Sequence, residues 1–246
     1  MRAAAYQTCA RGAERLCPGG GGAVNSGRPR FRAVIFDLDG TLTDTTPGII
    51  EAVSIALAAV GACTPPPDQV RPLIGLPLEQ MFRQLLPLDS APTTVDACIT
   101  AYRSYYDRAI LPHTRLFPGV LLALERCRAA GLRLAVATSK RTRLAEQALA
   151  ITGARHYFDL VIGNDRVRQP KPHPEMVRLI LTALQVLPQQ ALLAGDAVHD
   201  IAMGRAAGLV TCGVATGAAD MATLREAGAD HVVTNLLELA ALACRD

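Results

Sequence analysis

Six short apolar runs, separated mostly by segments with helical periodicity, constrain the fold of this chain more than any other feature. They lie at residues 33–36, 132–137, 159–162, 191–194, 210–214 and 231–233. Several runs are apolar throughout rather than alternately apolar and polar, which is typical of parallel strands buried on both faces. Strands that alternate with helices in this way predict an α/β fold with an open, doubly wound, Rossmann-like parallel sheet. Ligands of such sheets bind beyond the carboxyl ends of the strands.

One interval interrupts this alternation. No strand pattern occurs between residue 45 and about residue 113, but helical patterns occur at about 47–60, 77–86 and 93–108. Prolines mark its borders, since Pro47 lies at one side and Pro112 and Pro118 at the other. We therefore predict an all-helical cap at 45–115, inserted into an α/β core formed by 31–44 and 116–246.

The first 30 residues differ from the rest in charge. They contain five arginines, one glutamate and a run of four glycines, so they carry a net charge of +4 while residues 31–246 sum to −1. They lack the long apolar stretch of a secretory signal or a membrane anchor. We interpret them as a disordered extension, an organelle-type presequence or a mis-assigned start, and leave them out of the fold prediction.

The near-neutral body and the cysteine pattern limit the classes of function. No broad basic face is available for nucleic acid, so a small molecule is the expected partner, and we expect no membrane partner. The seven cysteines are scattered singly without a CxxC pair, which argues against a disulfide framework and a zinc site. We expect a cytoplasmic protein, either a monomer or a homodimer.

Polar side chains follow four of the predicted strands at the points where the strands end. They are Asp37 and Asp39, Thr138 and Ser139, Lys171, and Asp196 and Asp200. Turn formation or helix capping explains individual members of this set. Because the carboxyl ends of parallel strands meet at one edge of a sheet, we expect all of these residues to face one crevice.

The pair Asp37 and Asp39 indicates phosphoryl chemistry. Two carboxylates at the end of an apolar strand repel each other unless a cation or a proton lies between them. Asp37 is placed to attack phosphorus as a nucleophile, and Asp39 to protonate the leaving oxygen and then activate water. Such a pair requires a divalent cation, and Mg²⁺ suits carboxylate and phosphate oxygens.

Lysine usage is a second clue. Only two of the 25 basic residues are lysines, Lys140 and Lys171, and both lie in the loops that carry the polar set. Lysine offers a compact point charge rather than the planar fork of arginine. We expect Lys171 to hold Asp37 ionised and to neutralise the phosphoryl group. Lys140 is either part of the site or a solvated surface charge.

Four ordered motifs carry a resemblance to a known family. DLDGT at 37–41, Thr138 with Ser139, Lys171 within KPHP, and GDAVHD at 195–200 resemble those of the haloacid dehalogenase-like hydrolase superfamily. The likeness spans about 33–240 and is greatest to the phosphoglycolate phosphatase-like branch, which places a small helical cap between the first and second motifs. Ser139 departs from the pattern, because many relatives carry Asn there.

The resemblance implies roles for these residues. Asp37 would form an aspartyl-phosphate, Asp39 would act as general acid and base, and Lys171 would complete the catalytic group. Asp37, Asp196 and the backbone carbonyl of Asp39 would bind Mg²⁺, and Asp200 would support the metal through water or orient Lys171. Thr138 and Ser139 would bind the phosphoryl oxygens, with backbone N–H groups at the start of the following helix.

The loop at 73–77, three tyrosines and His199 are assigned no step of the reaction. The loop LIGLP at 73–77 resembles the substrate-specificity loop of the branch, with Gly75 and Leu76 at its centre, although Gly75 also suits an ordinary helix break. Tyr102, Tyr105 and Tyr106 have the spacing of a helix face that packs into a core. His199, inside GDAVHD, is the histidine nearest to the expected chemistry and is assigned no role.

The expected function is a magnesium-dependent phosphatase that acts on a small phosphomonoester, with 2-phosphoglycolate as the first candidate. A pyrophosphatase, a sugar phosphomutase and a non-catalytic phosphometabolite-binding protein remain as alternatives. Asp39 argues against a dehalogenase, whose leaving halide needs no proton. The cap has no lysine to form a Schiff base, which excludes a phosphonate hydrolase of this family.

Overall fold

Six parallel strands form one sheet in a computed structural model that describes residues 31–245. The order across the sheet is β3-β2-β1-β4-β5-β6. The strands are β1 (Ala33–Phe36), β2 (Arg133–Thr138), β3 (Leu160–Gly163), β4 (Ala191–Gly195), β5 (Val210–Val214) and β6 (His231–Val233). Each predicted strand is confirmed within one residue of its expected ends. The interpretation of residues 1–30 lies outside the described part of the chain.

Helices cover both faces of this sheet. They are α5 (Val120–Ala129), α6 (Thr142–Ile151), α7 (Glu175–Leu184), α8 (Val198–Ala207), α9 (Met221–Glu226) and α10 (Leu236–Ala243). Ala33 and Ile35 of β1 belong to the buried cluster that includes α7 and α8, whereas Val34 and Phe36 belong to the cluster that includes α5, α6 and α10. Both faces of β1 are therefore buried, and the doubly wound α/β prediction is confirmed.

The chain between β1 and β2 is helical. It contains α1 (Thr46–Ala59), α2 (Pro67–Val70), α3 (Leu78–Leu85), α4 (Pro92–Tyr105) and a π-helical turn (Tyr106–Ile110). Three of these helices match the predicted helical patterns, and no strand occurs at 46–113. Phe82 of α3 and Tyr102 of α4 pack edge to face with ring centroids 6.1 Å apart. The division of the chain into a core and a cap domain stays a prediction.

The strand order places a crevice beside the end of β1. From β1 the chain continues to β2 and β3 on one side, and β4, β5 and β6 lie on the other. Ligands of open α/β sheets bind where the direction of winding changes, at the carboxyl ends of the strands. In this sheet that position lies between β1 and β4, where Asp37 and Asp196 follow their strands. Among the described residues, no helix has both the length and the hydropathy needed to cross a membrane.

Candidate active site

A tight turn after β1 presents the first two aspartates. The backbone amide of Asp37 donates to the carbonyl of Ala194 at 2.8 Å, which continues the ladder between β1 and β4. Gly40 then adopts φ +93°, and a Cβ at that position would lie 2.3 Å from Oδ2 of Asp196. Only glycine fits both the backbone conformation and the space. The turn therefore approaches Asp196 closely.

Lys171 joins two carboxylates in the interior. Its Nζ lies 2.6 Å from Oδ1 of Asp37 and 2.6 Å from Oδ1 of Asp200, and the residue is only 1% exposed. Burial by itself lowers the pKa of Lys171, but attraction to Asp200 and Asp37 outweighs burial and raises the pKa above its ordinary value. Lys171 therefore remains charged. Asp200 also caps α8, because its Oδ2 accepts from the amide of Ala197 at 3.2 Å.

Asp196 completes a cluster of three buried carboxylates. Its two oxygens accept from the Thr41 hydroxyl at 2.9 Å and from the Ala218 amide at 2.7 Å. Burial, followed by the negative charge of Asp200, raises the pKa of Asp196 to about 7. Burial also raises the pKa of Asp37 well above its ordinary value, assisted by Asp200 and Asp196 and opposed by Lys171.

This cluster has the composition of a magnesium site. Asp37, Asp196 and Asp200 offer carboxylate oxygens that all lie within 4.8 Å of one another. When ionised, the three carboxylates exceed the single charge of Lys171 by two, and the pKa values of Asp37 and Asp196 are raised first by burial and then by the neighbouring negative charges. Carboxylate oxygens are the ligands that Mg²⁺ prefers, so the residues present fit the ion. The Asp39 carboxylate is not a member of the cluster.

Asp39 has its own set of partners. Its Oδ1 accepts from Nζ of Lys140 and from the Thr45 hydroxyl, each at 2.7 Å. Its Oδ2 has no hydrogen-bond partner within residues 31–245. Nζ of Lys140 also lies 2.7 Å from the hydroxyl of Tyr106. Lys140, which the sequence left open, is therefore part of the site.

Tyr106 is the residue that sequence reasoning missed. Tyr102 and Tyr106 are buried and stacked, with ring centroids 5.7 Å apart, which confirms that they pack in the core. The Tyr106 hydroxyl nevertheless reaches Lys140, and the Lys140 ammonium lies 4.9 Å from the centre of the ring. Helical spacing identified the buried face but held no signal for this contact. Tyr105 lies apart from the site and donates to Glu51 at 2.6 Å.

The loop at 73–77 meets the core at two points. The Ser139 hydroxyl donates to the carbonyl of Gly75. Gly75 has φ +93°, and a Cβ there would lie 2.2 Å from Nε2 of His199. Thr138 is buried at the end of β2, and its hydroxyl accepts from the Lys140 amide at 3.2 Å. The loop that was predicted to reach over the crevice therefore contacts residues beside the carboxylates.

A cavity of about 260 Å³ lies between the cap helices and the strand ends. Asp37, Asp39, Thr138 and Ser139 line it from the sheet side, and the opposite walls include Gly75, Leu76 and Tyr106. Lys171, Asp196 and Asp200 do not line it, although Lys171 contacts Asp37 directly. The structure thus brings all of the predicted site residues to one region, with the nucleophile candidate on the cavity wall and the metal cluster next to it.

Comparison with known proteins identifies the family. The sequence model of the family described as "Haloacid dehalogenase-like hydrolase" matches residues 34–214. The chain belongs to the haloacid dehalogenase-like hydrolase family. Its matched region begins inside β1 and ends with β5, so it contains all four motifs of the site.

Relatives of this hydrolase support the branch as well as the family. A Dickeya dadantii protein named "Probable phosphatase IndB" is 38% identical and covers 85% of this chain and 92% of its own. "Phosphoglycolate phosphatase, plasmid" from Cupriavidus necator is 36% identical with the same coverage. A haloacid dehalogenase-like hydrolase from Streptococcus pneumoniae, 28% identical, superposes with a TM-score of 0.78 over 86% of this chain and 98% of its own. The predicted phosphoglycolate phosphatase-like branch is confirmed.

Proposed function

We propose that this hydrolase is a magnesium-dependent phosphatase that releases phosphate from a small phosphorylated metabolite through an aspartyl-phosphate. The observation that carries the proposal is the pairing of each aspartate with its own lysine. Lys171 contacts Asp37 and Lys140 contacts Asp39, while both aspartates line one cavity. The name of the Cupriavidus necator relative makes 2-phosphoglycolate the first substrate to test.

In the first step, an oxygen of Asp37 attacks phosphorus and the bond from phosphorus to the leaving oxygen breaks. Asp39 donates its proton to that leaving oxygen, so that the alcohol departs neutral. Its unpartnered Oδ2 is the atom available for this transfer, because Oδ1 is held by Lys140 and Thr45. Lys171 offsets the negative charge beside the nucleophile.

In the second step, Asp39 takes a proton from water and the resulting hydroxide attacks the phosphorus of the aspartyl-phosphate. The bond between phosphorus and Asp37 breaks, which releases inorganic phosphate and restores the carboxylate. Thr138 at the end of β2, Ser139 directly after it and the backbone amides at the start of α6 would hold the phosphoryl oxygens. Magnesium bound by the Asp37, Asp196 and Asp200 cluster would supply positive charge against those oxygens.

Phosphate release from a substrate panel tests this function. We expect the purified protein to release phosphate from 2-phosphoglycolate and other small phosphomonoesters with Mg²⁺, and not with EDTA. Pyrophosphate belongs in the panel because a pyrophosphatase is the nearest alternative. A panel that includes p-nitrophenyl phosphate and yields no phosphate would overturn the proposal and favour a phosphomutase or a binding protein.

Magnesium should stabilise the fold, and more strongly at high pH. The pKa of Asp196 rises from an unfolded value near 3.9 to about 7, so the metal-free folded state loses stability as pH rises through this range. Mg²⁺ binds the ionised carboxylates and competes with protons at pH 5.5 but little at pH 8. At 100 times its dissociation constant it should add about 2.7 kcal/mol to the free energy of unfolding.

Thermal unfolding in Mg²⁺ and in EDTA, at both pH values, measures this effect. The increase in Tm should be larger at pH 8 than at pH 5.5, and Asp196→Asn should remove most of it. An equal increase at both pH values would show that Mg²⁺ binds elsewhere than at these carboxylates.

A further inference from the structure

Two arginines line the active-site cavity without a partner of their own. Arg103 extends from α4 on the cap side, and Arg141 lies directly before α6 on the core side. Within residues 31–245, neither side chain makes a hydrogen bond or an ion pair. Arg103 and Arg141 thus line one cavity, and Asp37 lies in the wall of the same cavity.

The other charged groups of the cavity are already paired. Its four carboxylates each have a neighbouring cation: Asp37 has Lys171, Asp39 has Lys140 at 2.7 Å, Glu79 has Arg83 at 2.9 Å and Asp107 has Arg143 at 3.8 Å. Lys140, the remaining cation in the lining, is the one bound to Asp39. Asp107 also attracts Arg103, so this one carboxylate is shared between two arginines. Arg103 and Arg141 are therefore the cations of the lining that form no salt bridge within residues 31–245.

Arg103 and Arg141 repel each other in this cavity. Burial, and then the nearby positive charge of Arg141, lowers the pKa of Arg103, with partial compensation from Asp107. The remaining walls are largely apolar and include Ile49, Ile74, Met81, Ile99 and Leu144. Coulomb interactions are stronger beside such walls than in open water. A bound anion would remove the repulsion between the two arginines.

We propose that the substrate carries a second anionic group, a carboxylate or a phosphate, which Arg103 and Arg141 bind while Asp37 attacks the phosphoryl group. This inference rests on the proposed phosphatase function and narrows its substrate class to phosphomonoesters with a further acidic group. Arginine suits the role because its planar fork binds carboxylate and phosphate oxygens in pairs. Because Arg103 lies on α4 and Arg141 directly before α6, an anion bound by both would also connect these two elements.

Matched esters and matched variants test the inference. 2-Phosphoglycolate is compared with 2-hydroxyethyl phosphate, which is similar in size but lacks the carboxylate, and with ethylene glycol bisphosphate. The variants are Arg103→Met, Arg141→Met and, as control, Arg108→Met. Arg108 follows Arg103 closely in the chain, is exposed, donates to the Ser104 carbonyl and does not line the cavity.

We expect the wild-type protein to prefer a doubly anionic ester over 2-hydroxyethyl phosphate in kcat/KM. A hydrogen bond to a charged group contributes about 1.5–3 kcal/mol, so each arginine variant should lower kcat/KM for the preferred ester by about 10- to 100-fold, mainly through KM. In the same two variants, kcat/KM for 2-hydroxyethyl phosphate should change less than about threefold. Arg108→Met should leave kcat/KM unchanged for both kinds of ester. The better of the two anionic esters identifies the group as a carboxylate or a phosphate.

Three outcomes would overturn the inference, and they distinguish its failure from that of the proposed function. In the first, the wild-type protein hydrolyses p-nitrophenyl phosphate without preferring either anionic ester, and in the second, the variants slow the hydrolysis of all esters alike. In either case Arg103 and Arg141 do not bind a second anionic group of the substrate, and the phosphatase function is unaffected. If no ester releases phosphate, the proposed function itself is wrong and this inference fails with it.

Discussion

Replacement of Asp37 by Asn should reduce kcat by about 10⁴-fold or more, the loss expected when a covalent nucleophile is removed. The amide has nearly the size and shape of the carboxylate but cannot attack phosphorus. Asp37 contacts Lys171 directly, whereas Asp39 and its partner Lys140 make no contact with the substituted side chain. Phosphate release with saturating substrate and Mg²⁺ measures the change.

The same variant should be at least as stable as the wild-type protein when Mg²⁺ is absent. Asp37 is buried beside Asp196 and Asp200, and its pKa is raised, which means that the fold disfavours its ionised form. A neutral amide relieves that repulsion, so Tm in EDTA at pH 8 should not fall. An unchanged Tm would show that the loss of activity in Asp37→Asn comes from the missing nucleophile and not from unfolding.

Asp44→Asn provides the matched control for Asp37→Asn. Asp44 lies in the same DLDGTLTD segment but is exposed, and its carboxylate has no hydrogen bond within the described part of the chain. Its replacement should leave kcat and Tm unchanged. Activity of Asp37→Asn near that of the wild type would exclude the covalent mechanism.

The strands and the metal cluster follow from local sequence signals. Each buried parallel strand is a short apolar run, and its carboxyl end is where a polar residue marks the ligand-binding edge. Asp37, Asp196 and Asp200 could therefore be assigned to one crevice before any distance was known. Asp200 illustrates that capping and chemistry coexist, since one of its oxygens caps α8 and the other holds Lys171.

The contacts between the cap and the strand ends were not predictable in the same way. Lys140 meets Asp39 and Tyr106 across sequence separations of 101 and 34 residues, and no periodicity connects such positions. Helical spacing predicts which face of α4 is buried but not what its polar tips contact. The geometry depends on how the helices of 46–113 pack above the sheet, which the sequence of those helices does not specify by itself.

Ser139 shows how a departure from the family pattern gains a structural explanation. The family resemblance leads us to expect Asn at this position, and the shorter serine side chain leaves the identity of the substrate open on sequence grounds. In the structure the Ser139 hydroxyl donates to the carbonyl of Gly75, so it joins the core to the loop at 73–77. The Ser139 hydroxyl therefore bonds to the loop above the sheet. The neighbouring Thr138 is buried at the end of β2.

Replacement of Lys171 by Met should destabilise the protein by about 3–5 kcal/mol at pH 8, which is the cost of breaking a buried ion pair. The Lys171 side chain has no exposed surface and forms ion pairs with both Asp37 and Asp200. Without it, three buried carboxylates would have no buried cation among them. Turnover should fall as well, because the charge beside the nucleophile is lost.

The pH dependence of this loss tests its electrostatic origin. The raised pKa of Lys171 means that its stabilising contribution is fully present below about 10.4, its value in unfolded chains, and is lost only as pH rises through the higher folded value. In Lys171→Met, the carboxyls can be neutralised by protons instead. The loss of stability should therefore be smaller at pH 5.5 than at pH 8.

Urea unfolding in EDTA at both pH values measures this difference, with Lys140→Met as the control. Lys140 is the other lysine of the chain, contacts only Asp39 among the carboxylates, and retains 8% side-chain exposure. Its loss should cost less than that of Lys171, because Asp39 keeps the Thr45 hydroxyl as a donor and is itself 13% exposed. An equal loss for Lys171→Met at pH 5.5 and pH 8 would assign its effect to packing, and the carboxylate cluster would then not depend on Lys171 for its charge balance.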